Sequence, residues 1–173
     1  MSAPLSTPVL HPASASPPET PRAEVPYDLI ELFFFAYRDF VGDPDRILAD
    51  FGFGRAHHRV LHFVQRRPGL TIAELLDILQ ITKQSLNRVL KELVETGFVE
   101  QRPGARDKRQ RRLHATAAGS ELATRLAELQ ARRIARALAA AGPDAAPAIQ
   151  RYLAAMIDPA ARKTLLASQD GST

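Results

Sequence analysis

The stretch TKQSLNRVLKELVETGFVEQRPGARDKRQRR, residues 82–112, sets an amphipathic helix directly before a charged hairpin. Thr82 is placed to cap the helix. Leu86, Val89, Leu90 and Leu93 recur on one face, and Thr96-Gly97 ends it. Phe98–Gln101 and Arg111–Ala115 then read as short strands on either side of a tip that contains Pro103-Gly104. Nine lysines and arginines stand here against four carboxylates, a surplus of five, while the whole chain carries only +4. The remainder therefore sums to about minus one, and the basic character is a local field suited to a polyanionic partner.

Working upstream, Thr71-Ile72-Ala73-Glu74 spells a capping box for a helix over Ile72–Leu79. Two short helices joined through Gln80-Ile81-Thr82 form a helix-turn-helix, and the hairpin adds a wing. Arg55–Arg67 supplies a further helix, with Val60, Leu61 and Val64 inward and Pro68-Gly69 closing it. The first helix is expected over Leu29–Val41, with Asp28 as cap and Glu31 as its reciprocal partner. Apolar residues lie almost all round it, so its second wall is read as another subunit. Gly42 is expected to end that helix and Asp43-Pro44 to open a short one running to Phe51 and stopped by Gly52. Downstream, Thr116 caps a long helix from Ala117 to about Ala141, with Leu122, Leu126, Leu129, Ile134 and Leu138 on one side. Gly142-Pro143 stops it. A last helix from about Asp144 carries Ile149, Leu153, Met156 and Ile157, and Asp158-Pro159 breaks it or begins a short helix ending near Leu166.

The fold class is thus mainly α (α+β), a winged helix-turn-helix lobe flanked by N- and C-terminal dimerisation helices. Residues 1–26 hold seven of the 13 prolines and read as a disordered Pro/Ser/Ala-rich tail. Residues 27–54 are assigned to N-terminal dimerisation helices, 55–116 to the winged lobe, 117–167 to C-terminal dimerisation helices and 168–173 to a frayed end. The chain has no cysteine, which excludes disulfides and thiol catalysis. No stretch approaches the ~20 apolar residues of a membrane span, and the first residues lack a secretory pattern, so a cytoplasmic protein is expected. No triad, phosphate loop or carboxylate pair is spelled out, so neither an enzyme nor a cofactor is expected.

These residues together resemble the MarR family of bacterial winged-helix transcription factors, over about residues 28–166. The most specific portion is Asp107-Lys108-Arg109-Gln110-Arg111-Arg112-Leu113-His114-Ala115-Thr116-Ala117-Ala118-Gly119. It follows the family pattern Asp-x-Arg-x-x-x-apolar-x-Leu-Thr-x-x-Gly apart from Ala115, which stands where Leu is usual. The resemblance implies a homodimer, built mainly by the first and last two helices, on a pseudo-palindromic double-stranded DNA operator. It also implies response to a small ligand.

With the leucine stripe inward, Lys83, Gln84, Asn87, Arg88 and Lys91 face outward, with Ser85 near the edge. Gln and Asn pair bidentately with adenine and Lys favours guanine, so Gln84, Asn87 and Lys83 are the base-reading candidates. Thr82 and Ser85, at the helix N-terminus, suit phosphate. In the wing, Arg109 is expected in the minor groove, with Asp107 holding its guanidinium and Arg106, Lys108 and Arg111 neutralising phosphate. A basic run on a hairpin tip can be no more than a solvated turn; its place after a capped helix favours nucleic acid. The alternative is a winged-helix module that docks protein, which predicts shallow salt dependence of any DNA binding.

By analogy with the family, Phe34, Tyr37, Phe40, Phe53, His57, His58 and Arg59 are candidates for a pocket taking an aromatic or anionic effector; plain core is the other reading. His58 and His62 share a helix face at i, i+4 spacing that suits a transition metal, with Asp39, Asp43 or Asp45 as the only further ligands in prospect. Surface or interfacial histidines are the other reading.

Overall fold

A computed structural model describes residues 25–104, 107–159, 161 and 162. The expectations for residues 1–24, for Arg106 and for 163–173 lie outside the described residues. Helix α1, Tyr27–Ala49, is followed by α2, Arg55–Arg66, a two-residue strand β1, Leu70–Thr71, and the short helix α3, Ile72–Leu79. Helix α4, Lys83–Glu95, leads into β2, Val99–Pro103, and β3, Arg111–Ala115, before the long α5, Ala117–Ala141, and α6, Ala145–Met156.

The first region corrects the sequence reading. Neither Gly42 nor Asp43-Pro44 divides it: one helix of 23 residues runs through both. The reason is a buried stripe, Val41, Pro44 and Leu48, that stays on one face only if the helix continues. A helix-interior proline gives up a backbone bond, and its neighbour Asp43 ties this turn to α5, accepting from Arg133 Nη2 at 2.8 Å and Nε at 3.2 Å. Gly42 keeps a right-handed backbone, and the stop comes at Gly52, with φ +70°. Asp28 does not cap either. The helix starts one residue before it, after Pro26, without any side-chain cap.

The other helix starts follow their local chemistry. Thr71 Oγ1 accepts from the Glu74 N–H, and Glu74 Oε2 accepts in return from the Thr71 N–H at 2.7 Å. Thr82 Oγ1 accepts from Ser85 N–H at 3.2 Å and Thr116 Oγ1 from Gly119 N–H at 3.1 Å. Between α3 and α4 the turn is made by Gln80 in the left-handed region, φ 50°.

The strands form one antiparallel sheet in the order β1-β3-β2, with Leu70 opposite Leu113 and Val99 opposite Ala115. β1 was not foreseen, because two residues just ahead of a helix cap carry no strand periodicity. Leu48, Val60, Leu61, Val64, Leu75, Leu86, Leu93, Val99, Leu113 and Leu126 fill a core that α2, α3, α4, the sheet and the first half of α5 enclose. This is the lobe. A Cβ on Gly119 would lie 1.9 Å from the Phe98 carbonyl oxygen, so only glycine lets α5 cross the root of the wing here.

Beyond Leu126 the pattern changes. Ile134 on α5 is 49% exposed, and α6 has no fully buried residue. Together with the first half of α1 these form an arm whose apolar side chains lie open.

Candidate nucleic-acid interface

On α4, Leu86, Val89, Leu90 and Leu93 are buried, and Lys83, Gln84, Ser85, Asn87, Arg88 and Lys91 are exposed, as the helical spacing requires. Thr82 also donates its hydroxyl to Ser85 Oγ at 2.9 Å, which leaves the Ser85 proton for an outside acceptor. Lys91 lies 3.7 Å from Glu95, one turn on, an exposed pair of small energetic weight.

In the wing, Leu113 is wholly buried and fixes β3 to the core. The tip is shaped by its own backbone: Gly104 N–H donates to Gln110 O at 2.8 Å, and Gln110 N–H to Asp107 O at 3.1 Å. Asp107 departs from expectation. Its Oδ1 accepts from the backbone N–H of Arg109 at 2.9 Å, not from the guanidinium. A carboxylate two residues before an N–H closes a local turn, and that geometry outcompetes a long, exposed side chain. Asp107 therefore shapes the loop that presents Arg109 and leaves the fork free to reach outward.

Lys108, Arg109 and Arg111 are exposed. The remaining basic residues divide by role. Arg102 is paired with Glu100 on its own strand. Arg112 donates to Gly69 O at 3.0 Å and to Gln110 Oε1 at 2.8 Å, with Glu74 3.9 Å away, so it braces the wing against β1 and the start of α3. The Thr71 hydrogen bonds hold the Glu74 carboxyl below its ordinary value, and the Arg112 charge adds to this.

A second concavity lies between the arm and the lobe. It is a cleft of about 320 Å³ walled by Tyr37, Phe40 and Val41 of α1, by Arg55, His58, Arg59, His62 and Phe63 of α2, and by Gln130 of α5. Four of the seven expected pocket residues meet there: Tyr37, Phe40, His58 and Arg59. Phe34 does not, being 69% exposed on the arm. Phe53 and His57 are buried in the lobe, where their rings stack at 4.7 Å and Phe53 meets Phe98 edge-on. One residue step of α2, about 100° of rotation, turns His57 away from the cleft-facing column of His58 and His62, so a run of adjacent histidines cannot share one wall. Val41, Arg55, His62, Phe63 and Gln130 were missed as lining, although Arg55, Arg59 and His62 share the face of His58 at helical spacing.

Within the cleft Arg55 pairs with Asp45 at 2.8 Å, and Arg59 Nη2 donates to Leu79 O, the carbonyl end of α3, at 2.8 Å. Burial pushes the His58 and His62 imidazoles below their ordinary 6.5; His62 adds to this for His58 while Asp45 opposes it, and Arg66 and Arg67 add to it for His62. Among the described residues no group of three or more His, Asp or Glu side chains is gathered to hold a metal ion. The His58 and His62 spacing thus has no third ligand there, and Asp43 and Asp45 are engaged by Arg133 and Arg55. No helix among the described residues is long and apolar enough to cross a membrane.

The chain matches the model of the MarR family over residues 51–110. It is 53% identical over 134 residues to the HTH-type transcriptional regulator PetP of Rhodobacter capsulatus, across 78% of this chain and 81% of that protein. Among solved structures, the transcriptional regulator SlyA matches with a TM-score of 0.65 at 17% identity, over 81% of this chain and 99% of the other. A mutant MarR from E. coli complexed with operator DNA matches with a TM-score of 0.55 at 23% identity, over 73% of this chain and 90% of that one. The structural likenesses carry the winged-helix fold, and the identity to PetP carries the family: this chain belongs to the MarR family of transcriptional regulators.

Proposed function

We propose that the protein binds a pseudo-palindromic DNA operator as a homodimer, with α4 in the major groove and the β2–β3 wing in the minor groove. The observation that carries this reading is the pairing of a Thr82-capped helix, polar on its open face, with a wing tip that holds Arg109 outward and unpaired by Asp107. Lys83, Gln84 and Asn87 read base edges, Ser85 takes phosphate with its hydroxyl oriented by Thr82, and Arg88, Lys91, Lys108 and Arg111 add neutralising charge. Arg106 joins that last group from its place in the sequence. That a protein of the same fold is known complexed with operator DNA supports DNA as the partner. A second copy would cover the open apolar arm, and the cleft is read as the seat of a small aromatic or anionic effector facing Arg55 and Arg59.

Selection of duplexes from a random-sequence pool with the purified full chain tests the proposal. The expected product is a two-fold symmetric site whose affinity falls steeply with salt, because each neutralised phosphate releases counterions. Recovery of asymmetric sites sinks the dimer geometry; shallow salt dependence favours a protein-docking module.

A further inference from the structure

The cleft, the apolar arm and the basic tip are absorbed by the proposed function; the part-buried contact between α2 and the recognition helix is not. His57, 9% exposed, lies with Nε2 2.7 Å from Glu92 Oε2, while its Nδ1 accepts a hydrogen bond from the Gly54 N–H at 3.1 Å. A ring nitrogen that accepts has its lone pair in that bond, so the imidazole proton sits on Nε2 and Nε2 donates to Glu92. The contact is therefore a charge-assisted, directional hydrogen bond from a neutral ring, and both ring nitrogens are used.

The ring itself is fixed on a third side. It stacks on Phe53 at 4.7 Å and 11°, and Phe53 and Phe51 both meet Phe98 edge-on at 5.3 Å. Phe51 and Phe53 belong to the short segment that joins α1 to α2, and Phe98 lies at the root of the wing. His57 thus sits where the end of the arm helix, the recognition helix and the wing converge. Arg59 and Thr82 fix the N-terminal side of α4 through the α3–α4 turn. The His57–Glu92 bond holds the last turns of the same helix from the opposite end.

We propose that His57 and Glu92 are positioning residues for DNA recognition, their hydrogen bond setting the angle at which α4 presents Lys83, Gln84 and Asn87 to base edges. This rests on the DNA-binding reading above. It has a consequence opposite in sign to simple electrostatics. Glu92 is an acid on a helix that approaches a polyanion, so loss of its charge alone should tighten DNA binding. Loss of its positioning bond should instead lower the preference for the specific site, with little change for non-specific duplex.

The test compares Glu92→Ala with Glu92→Gln in the full chain. Both remove the same charge, and only glutamine keeps an oxygen that accepts from His57 Nε2–H. The Glu92 side chain is 44% exposed, so neither change empties the core. Wild-type protein first selects a duplex; anisotropy titrations at fixed salt then give the affinity ratio of that duplex to a scrambled one, alongside the thermal midpoint of each variant. The expected result is a roughly tenfold loss of the ratio in Glu92→Ala, with Glu92→Gln close to wild type, in line with coupling through one well-made, part-buried bond. His57→Ala should lower the ratio by a similar factor, and its combination with Glu92→Ala should add nothing. Equal ratios for the alanine and glutamine variants overturn the positioning role while leaving DNA binding intact. Failure of the wild type to select any sequence overturns both.

Discussion

In the lobe, Leu48, Leu61, Leu75, Leu86, Leu93, Leu113 and Leu126 are shielded almost completely by the chain's own atoms. Along the arm, Tyr27, Leu32, Phe34, Phe35, Tyr37 and Met156 keep 52–69% of their surface. Both regions are apolar in sequence, and helix periodicity marks both. They differ in whether one chain suffices to close the core. The lobe wraps a small sheet and four helix faces round one centre, whereas α1 and α6 meet only along a narrow seam marked by the Phe33–Tyr152 stack at 5.9 Å. Apolar patches this extensive are rare on monomers, and that supports the proposed reading of the arm as half of a core completed by a second copy.

The largest test of that contrast cuts the lobe. Leu61→Ala removes a buried side chain beside Gly119 and should cost about 2–5 kcal/mol of stability in denaturant titration, with self-association unchanged at concentrations where the chain stays folded. A loss below about 1 kcal/mol would show a lobe far more forgiving than its exposure values imply. The converse cut is Phe34→Glu on the arm. Where the lobe variant loses stability, this one should keep its fold and lose association by about 2 kcal/mol or more, some thirtyfold in dissociation constant, as for a central interface anchor. Sedimentation across a dilution series measures it, and unaltered association removes Phe34 from the interface.

A third change leaves both cores alone. Arg109→Ala is expected to reduce operator affinity by about 1–3 kcal/mol, the weight of one groove contact, with the thermal midpoint unmoved. Unchanged affinity in a mobility-shift titration at fixed salt would exclude the minor-groove role.

How much of this was legible follows the same division. Lobe helices announce themselves because caps such as Thr71, Thr82 and Thr116 are local chemistry, and the leucine stripe of α4 needs no partner to be read. The Asp107 to Gly119 pattern gave the family, and the structure supplies the reason for its last residue in the 1.9 Å approach to Phe98. What failed was non-local. Gly42 and Pro44 look like breakers one residue at a time, and only the buried stripe and the Arg133 tie, 90 positions away in sequence, keep that helix whole. Asp107 looked like a guanidinium partner until a nearer backbone N–H claimed it. His57 and His58 are neighbours in sequence, yet the first packs into the lobe against Phe53 and the second lines the cleft, a difference one residue of helix rotation makes and composition conceals.

The smallest effect lies at the seam where lobe and arm meet. Burial lowers the affinity of His58 and His62 for protons in the folded chain, whereas the unfolded chain takes them up from about pH 6.5 downward. Between those limits the unfolded state holds more protons, so the stability present above pH 6.5 declines as the pH falls through this window. Denaturant titrations from about pH 7.5 to about 5.5 should therefore show a decline that His58→Gln with His62→Gln flattens. Glu74, held low by Thr71, adds its own decline only as the pH falls through its ordinary 4.5. Because the two histidines line the cleft between the arm and the lobe, a pH slope that persists in the double variant would locate the titrating groups elsewhere. A slope abolished by it would make the cleft between the two halves of the molecule the source of that proton-dependent stability.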